Sequence, residues 1–318
     1  MKRALVFPGQ GSQTVGMGRS LFEAFAEVRY LFEEIDDALS QRLTRLMFEG
    51  PESDLTLTEN AQPALLAVSM AAIRVLEKEG GLELPRHCAY VAGHSLGEYT
   101  ALAAARALAL ADAVRLVKRR GQAMQQAVPV GAGAMAALMG IDVATAAAAA
   151  EEAMMSEAGE RQVCAVANDN APGQVVISGH EGAVERAIAQ ALARGARRAI
   201  RLPVSAPFHS PLMAPAAAVM EAALGEVALK PPLVPLIANV TATPVRIPAE
   251  IRRRLVEQVT AMVRWRESVL FLQSEEVEEI VEVGAGRVLT GLVKRIAPEL
   301  KARAVGTPAE AEALMKDL

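Results

Sequence analysis

The 318-residue sequence predicts an α/β fold: a body built on a mainly parallel sheet covered by helices, with a smaller βαββαβ subdomain inserted into it. Three observations predict it. Short apolar runs at 4–7, 88–92 and 280–283 each end in a glycine-containing loop, and the first two are followed by helical periodicity. A flexible stretch, Gly131-Ala132-Gly133, follows Pro129 and marks a change of rhythm. From there to Pro203 the pattern is strand, helix, strand, strand, helix, strand, which is the ferredoxin-like order.

Taken in order, residues 4–7 form a buried strand entering the loop Pro8-Gly9-Gln10-Gly11-Ser12. Apolar residues at helical spacing predict helices over 21–39 and 61–79. The strand at 88–92 meets Gly93, an alanine-rich helix starts just after Gly97, and a second follows over 111–126. In the insert, strands are expected at 134–139, 163–167, 174–178 and 199–202, and helices at 143–157 and 181–194. The chain then returns to the body with a strand near 236–239 and a helix near 249–262. A last strand, 280–283, leads into the turn Gly284-Ala285-Gly286. The body is thus assigned to 1–129 and 204–318, and the subdomain to 130–203. No internal repeat or low-complexity tail is present, although 146–150 is a short alanine run.

Composition narrows the class. Hydrophobic residues make up 52% and charged residues 22%, the balance of a soluble globular enzyme. The formal charge of −4 argues against bulk binding to nucleic acid or to an anionic membrane. Two cysteines, Cys88 and Cys164, exclude a disulfide framework and a cysteine-rich zinc site, and they suit a reducing compartment. Beyond Lys2 and Arg3 the apolar run is broken at once by Pro8 and Gly9, too soon for a signal peptide. The most apolar segment, 100–114, carries Arg106 and Asp112 and is too short to span a bilayer. A soluble, cytoplasmic protein is expected.

Gly93-His94-Ser95-Leu96-Gly97 fits the G-x-S-x-G nucleophile elbow, with an apolar strand before it and a helix after it. The elbow needs a sharp turn that projects the serine hydroxyl, and glycines on either side keep the backbone from colliding. The helix N-terminus also turns N–H groups and partial positive charge toward the serine. A serine nucleophile needs a base, and there are four histidines: His87, His94, His180 and His209. His87 lies in a polar loop, His94 is read as a packed structural histidine, and His180 opens a helix, where capping explains it. His209 lies in the proline-stiffened loop 203–211, which suits a base that must be held in place. The residues alone leave a structural role for it open. No aspartate is an obvious partner, so a backbone carbonyl is the candidate acceptor for its Nδ1–H, giving a dyad.

Phe7-Pro8-Gly9-Gln10-Gly11-Ser12-Gln13, Gly93-His94-Ser95-Leu96-Gly97-Glu98 and Pro207-Phe208-His209-Ser210 together resemble malonyl-CoA:acyl carrier protein transacylases. Gln62-Pro63-Ala64, Arg120-Gly121, residues 168–179 and Val283-Gly284-Ala285-Gly286 match as well, in order and essentially end to end. The resemblance implies an α/β-hydrolase-like body carrying Ser95 as the acylated nucleophile and His209 as its base. It implies an oxyanion hole from the backbone N–H groups of Gln10 and Leu96, and Arg120 paired with the free malonyl carboxylate. Gln62 would line the same pocket, and Phe208 matches the malonyl-selective form of its motif. Gln258 would orient the histidine through its main-chain carbonyl, with Asn239 nearby.

The partners implied are malonyl-CoA and holo acyl carrier protein, with malonyl transfer supplying fatty acid biosynthesis. No metal or redox cofactor is expected, coenzyme A entering as the thioester substrate, and the chain is expected to be a monomer. A serine thioesterase or esterase, or an inert carrier-binding scaffold, are the alternatives.

Charge patterning alone reads Arg120, in Lys118-Arg119-Arg120, as the solvated end of an amphipathic helix. A pocket that separates malonyl from acetyl instead needs a buried cation, and arginine's fork grips a carboxylate with two hydrogen bonds. Arg252-Arg253-Arg254 and Glu275-Glu276-Val277-Glu278-Glu279 are read as solvated faces. Arg194, Arg197, Arg198, Arg201, Arg287 and Lys294 are candidates for the basic surface that an acidic carrier protein requires.

Overall fold

Five consecutive buried residues form the first strand, β1 (Arg3–Phe7), in the computed structural model, which describes residues 1–156, 158–204 and 206–318. The strands that follow are β2 (Tyr90–Gly93), β3 (Gly133–Met139), β4 (Cys164–Ala171), β5 (Gln174–His180) and β6 (Arg198–Arg201). Then come β7 (Leu236–Ile237), β8 (Pro244–Val245), β9 (Glu279–Val283) and β10 (Lys301–Val305). Among the described residues they build two sheets, ordered β10-β9-β1-β2-β7-β8 and β4-β5-β3-β6.

The larger sheet is parallel from β10 to β7, with β8 antiparallel at its edge. Strands buried on both faces read as continuous apolar runs, and this is why the first strand was visible in the sequence. One face is covered by the main core, in which Leu5, Phe7, Val91 and Val281 meet helix Thr58–Lys78 and helix Gly97–Ala104. On the other face Ala4, Val6, Ala92 and Ile280 pack against Trp265, Val269 and Leu289. The smaller sheet is wholly antiparallel, and its strand order is that of the ferredoxin-like unit. Period-two alternation along β3 puts Ala134, Ala136 and Leu138 against the subdomain's own helices and turns Met135 and Ala137 to the opposite face. There Met135 and Ala137 meet Leu202, Val204 and Phe208. Among the described residues no helix is long and apolar enough to cross a membrane.

Several expectations need correction. The helix expected over 21–39 is two helices, Arg19–Ala24 and Ala26–Leu39, because Phe25 is extended at φ −127°. The helix expected over 143–157 is Val143–Glu152, and Glu157 lies outside the described residues. The helix expected over 249–262 is Pro248–Gln258. The chain leaves it so that Val263 can pair with β4: Val263 N–H donates to Ala167 O at 2.9 Å and Asp169 N–H donates to Val263 O at 3.0 Å. That link ties the body to the edge of the smaller sheet.

Glu279 is no solvated residue: it is 1% exposed, and Arg3 and Arg303 on the flanking strands each reach its carboxylate at 2.6 Å. Arg252 is only half-exposed and donates to Leu224 O at 2.9 Å. His180 stands at a helix N-cap but its side chain does not cap; its Nδ1 accepts from Val163 N–H at 2.8 Å.

Candidate active site

The turn after β2 is tight enough that a Cβ on Gly93 would lie 1.9 Å from the carbonyl of Gly97. Ser95 sits at its apex with φ 54°, in the left-handed region that a non-glycine residue enters only when held there. Asn239, just past β7, does the holding. Its Oδ1 accepts from Ser95 N–H at 2.8 Å, and its Nδ2 donates to Gly93 O at 2.7 Å. The turn is also fastened to β1, because His94 N–H donates to Phe7 O at 3.0 Å.

Within the turn Gly97 and Glu98 N–H groups are bonded back to His94 O and Ser95 O. Leu96 N–H, at the start of helix Gly97–Ala104, has no protein acceptor among the described residues. Gln10 arrives from the loop after β1 and lines the same cleft, with its side-chain Nε2 3.4 Å from Thr58 Oγ1.

His209 also has a left-handed backbone, φ 55°, in a loop whose Ser205 lies outside the described residues. Its Nε2 is 2.8 Å from Ser95 Oγ and its Nδ1 is 2.8 Å from the main-chain oxygen of Gln258. A carbonyl can only accept, so Nδ1 carries the proton and Nε2 presents its lone pair to the serine hydroxyl. Burial, followed by the nearby Arg120 charge, pushes the imidazole pKa down to about 3. The ring is therefore neutral at neutral pH. A hydroxyl bonded to a neutral imidazole acceptor can pass its proton to that ring as it attacks an electrophile.

Arg120 is 1% exposed, so the solvated-end reading is wrong for it. Gly121 is the reason its helix can lie so close to Thr58–Lys78: a Cβ there would stand 2.6 Å from Glu59 Cα. The guanidinium donates to Gln62 Oε1 at 2.8 Å, to Gln258 Oε1 at 2.8 Å and to Ser95 Oγ at 3.1 Å. Its Nε is buried and without a partner among the described residues. Tyr99 packs beside the guanidinium, its ring centroid 5.7 Å from the guanidinium carbon.

Gln258 is a hub. Its Nε2 donates to Glu98 Oε2 at 2.6 Å and to Ser95 O at 2.9 Å, and lies 3.3 Å from Asn239 Oδ1. Asn239, expected beside the histidine, thus acts on the serine turn and is linked to His209 through Ser95 and Gln258. Glu98 is 1% exposed, and burial raises its carboxyl pKa to about 7. It was visible in the sequence as part of the elbow motif, yet its inward direction was not read.

These groups open on a cleft of about 350 Å³ between body and subdomain. Gln62, Arg120, Ser95 and His209 line one side, while Met135, Asn168 and Leu202 come from the subdomain. Phe208 bridges them, half-buried and packed on both cores. His94 also borders the cleft, but its Nε2 is turned to Asn170 Oδ1 at 2.8 Å and its ring lies against Trp265. His87 is not on the cleft wall; its Nδ1 accepts from Glu83 N–H at 3.0 Å.

Residues 4–306 match the acyl transferase domain family. Malonyl CoA-acyl carrier protein transacylase of Bacillus subtilis strain 168 is 45% identical over 317 residues, covering 100% of this chain and 97% of that one. The acyl-carrier-protein-S-malonyltransferase structure from Bartonella henselae superposes with a TM-score of 0.95 at 52% identity, covering 100% of this chain and 99% of that one. A further structure, a type II polyketide-synthase acyl carrier protein in complex with its malonyl-transacylase, has a TM-score of 0.94 at 42% identity, covering 100% of both chains. With this fold, this serine–histidine–arginine arrangement and full-length similarity, the chain belongs to the malonyl-CoA:acyl carrier protein transacylases of the acyl transferase domain family.

Proposed function

We propose that this chain transfers the malonyl group of malonyl-CoA to the phosphopantetheine thiol of holo acyl carrier protein, through a malonyl ester on Ser95. The observation that carries the reading is the buried Arg120 guanidinium on the wall of the cleft, beside the hydrogen-bonded pair of Ser95 and His209. A hydrolase of uncharged acyl groups has no use for that cation.

In the first half-reaction His209 Nε2 takes the hydroxyl proton as Ser95 Oγ attacks the thioester carbonyl. The oxyanion rests on the N–H groups of Leu96 and Gln10. The C–S bond then breaks, and the protonated imidazole returns its proton to the departing coenzyme A thiolate. In the second half-reaction the carrier's thiol gives its proton to His209 and attacks the ester carbonyl. The C–O bond breaks, and Ser95 is reprotonated by the imidazole. Gln258 O bonds the imidazole N–H throughout, so the ring does not turn between the steps. No metal or redox cofactor enters this sequence.

Arg120 holds the free carboxylate through its fork. Pairing with that carboxylate also offsets the positive charge that depresses His209, so the base strengthens when the right donor is bound. Phe208 and Met135 supply apolar walls. For carrier docking, Arg194, Arg201 and Arg287 are engaged by glutamates. Arg197, Arg198 and Lys294 are exposed and without ion pairs among the described residues, so they are the favoured contacts. The product supplies malonyl-loaded carrier for fatty acid synthesis.

Intact-mass measurement tests the reading. Malonyl-CoA alone should leave a malonyl adduct on the protein, and holo carrier protein should remove it and gain the same mass. Loss of the adduct to water at the same rate with and without carrier would show a hydrolase instead.

A further inference from the structure

Among the described residues Glu98 is the one acidic side chain built into the hydrogen-bond network behind Ser95, and it does not line the cleft. Its two oxygens face two donors: Oε2 takes Gln258 Nε2 at 2.6 Å, and Oε1 takes Asn239 N–H at 3.3 Å. A carboxyl group can accept at both oxygens, whereas an amide in its place would set an N–H against one of the two donors. At its Nε2 end the Gln258 amide meets Glu98, Ser95 O and Asn239 Oδ1, all acceptors, so the amide cannot flip without setting acceptor against acceptor. Gln258 Oε1 is thereby turned to Arg120.

We propose that Glu98 is a positioning residue for malonyl recognition, fixing the Gln258 amide so that its Oε1 holds the Arg120 guanidinium where an acyl carboxylate can meet it. This rests on the malonyl-transfer reading of the site. The link runs Glu98, Gln258 side chain, Arg120 and stays apart from the Gln258 main-chain oxygen that holds His209. The positioning effect therefore falls mainly on selectivity for the acyl group, because the Ser95–His209 hydrogen bond is not itself part of the link.

The test is kcat/KM for malonyl-CoA and acetyl-CoA in wild type, Glu98→Gln and Gln258→Met, with Glu98→Gln repeated in an Arg120→Ala background. An amide at 98 can serve only one of the two donors in this arrangement, so Gln258 loses its shortest hydrogen bond and is held less firmly. Malonyl transfer should fall by roughly 10- to 100-fold, the scale of a hydrogen bond to a charged group, mainly through KM. Acetyl transfer, which does not use Arg120, should change by less than about threefold, within the scatter expected of an uncoupled site. In the Arg120→Ala background Glu98→Gln should cost malonyl transfer nothing more. Gln258→Met keeps the main-chain carbonyl but also gives up the bond to Ser95 O, so both donors should slow, malonyl transfer by at least tenfold more than acetyl transfer, even if Glu98→Gln fails to fold. Parallel decline of both donors, additive losses with Arg120→Ala, or a Gln258→Met enzyme that keeps its preference would each overturn the proposal. Failure of the wild type to take malonyl from malonyl-CoA would instead defeat the functional reading on which it stands.

Discussion

The Arg120 guanidinium donates to the hydroxyl of Ser95 at 3.1 Å, the same hydroxyl that lies 2.8 Å from His209 Nε2. The cation thus rests on the serine before any acyl group arrives. An incoming carboxylate in the cleft can take over the Nη group that now rests on Ser95. The hydroxyl is then left to the imidazole alone.

Ser95→Ala should fold with near-native stability and should never gain the mass of an acyl group from malonyl-CoA. Its backbone stays in the left-handed region, so a cost of about 1 kcal/mol is expected there. A covalent adduct surviving in this variant would move the nucleophile elsewhere.

Asn239→Ala removes the clamp on the serine turn and leaves Ser95 N–H and Gly93 O without their partner. At about 1–3 kcal/mol for each buried polar group left unsatisfied, urea unfolding should show a loss on the order of 2–4 kcal/mol. Malonyl and acetyl transfer should decline together, because the turn serves both. Unchanged stability would mean that water replaces the amide without loss.

The pH dependence follows from His209. Its folded pKa lies at about 3, and the base works in the neutral form, so protonation disables it only in strong acid. Single-turnover acylation in Glu98→Gln should therefore show no acid limb near the ordinary histidine value of about 6.5. Glu98 titrates at about 7, so an inflection there is expected to vanish in Glu98→Gln while the His209 behaviour stays. A limb near 6.5 in both proteins would mean that the imidazole is far better solvated than its surroundings imply.

Glu279 offers a test of the fold away from chemistry. Arg3 is 5% exposed and Glu279 1%, so removing the carboxylate strands a buried cation. Glu279→Ala should cost about 3–5 kcal/mol, read from the urea midpoint, with transfer kinetics per folded molecule unchanged. A shift below about 1 kcal/mol would mean that Arg3 finds water, as surface ion pairs do.

The sequence exposed those parts of the fold where the local pattern and the tertiary role agree. The serine turn was visible because its geometry demands glycines at 93 and 97, and the ferredoxin-like unit was visible because its short apolar runs and helical patterns follow one another in βαββαβ order. Elements without contrast were missed. Helix Ala214–Gly225 is apolar and alanine-rich all round, and β10 reads Lys-Ala-Arg-Ala-Val, an edge strand with little apolar signal. The break at Phe25 leaves the apolar spacing undisturbed, so periodicity ran straight across it. Arg120 and Glu279 looked solvated because burial of a charge is decided by partners distant in sequence: Gln62 and Gln258 for one, Arg3 and Arg303 for the other. The same distance hid Glu98, whose direction is set by Gln258 and Asn239.

Arg120→Ala should change which acyl group is chosen more than it slows the chemistry. Malonyl differs from acetyl by one carboxylate, and this guanidinium is the buried cation at the serine. Leaving the carboxylate unpaired in a desolvated cleft should cost about 2–5 kcal/mol. At ~1.4 kcal/mol per tenfold, malonyl transfer should drop by roughly 30- to 4,000-fold. Acetyl transfer should hold or rise, for two reasons that the geometry supplies. The variant frees the Ser95 hydroxyl from a competing donor, and it removes the charge that, after burial, depresses His209. Arg120→Lys should recover only part of the loss, because an ammonium on a flexible stem cannot span Gln62, Gln258 and a carboxylate at once. The measurement is kcat/KM for both donors in the wild type and the two variants. A parallel fall for malonyl and acetyl would show that Arg120 serves only to hold Gln62 and Gln258 in place.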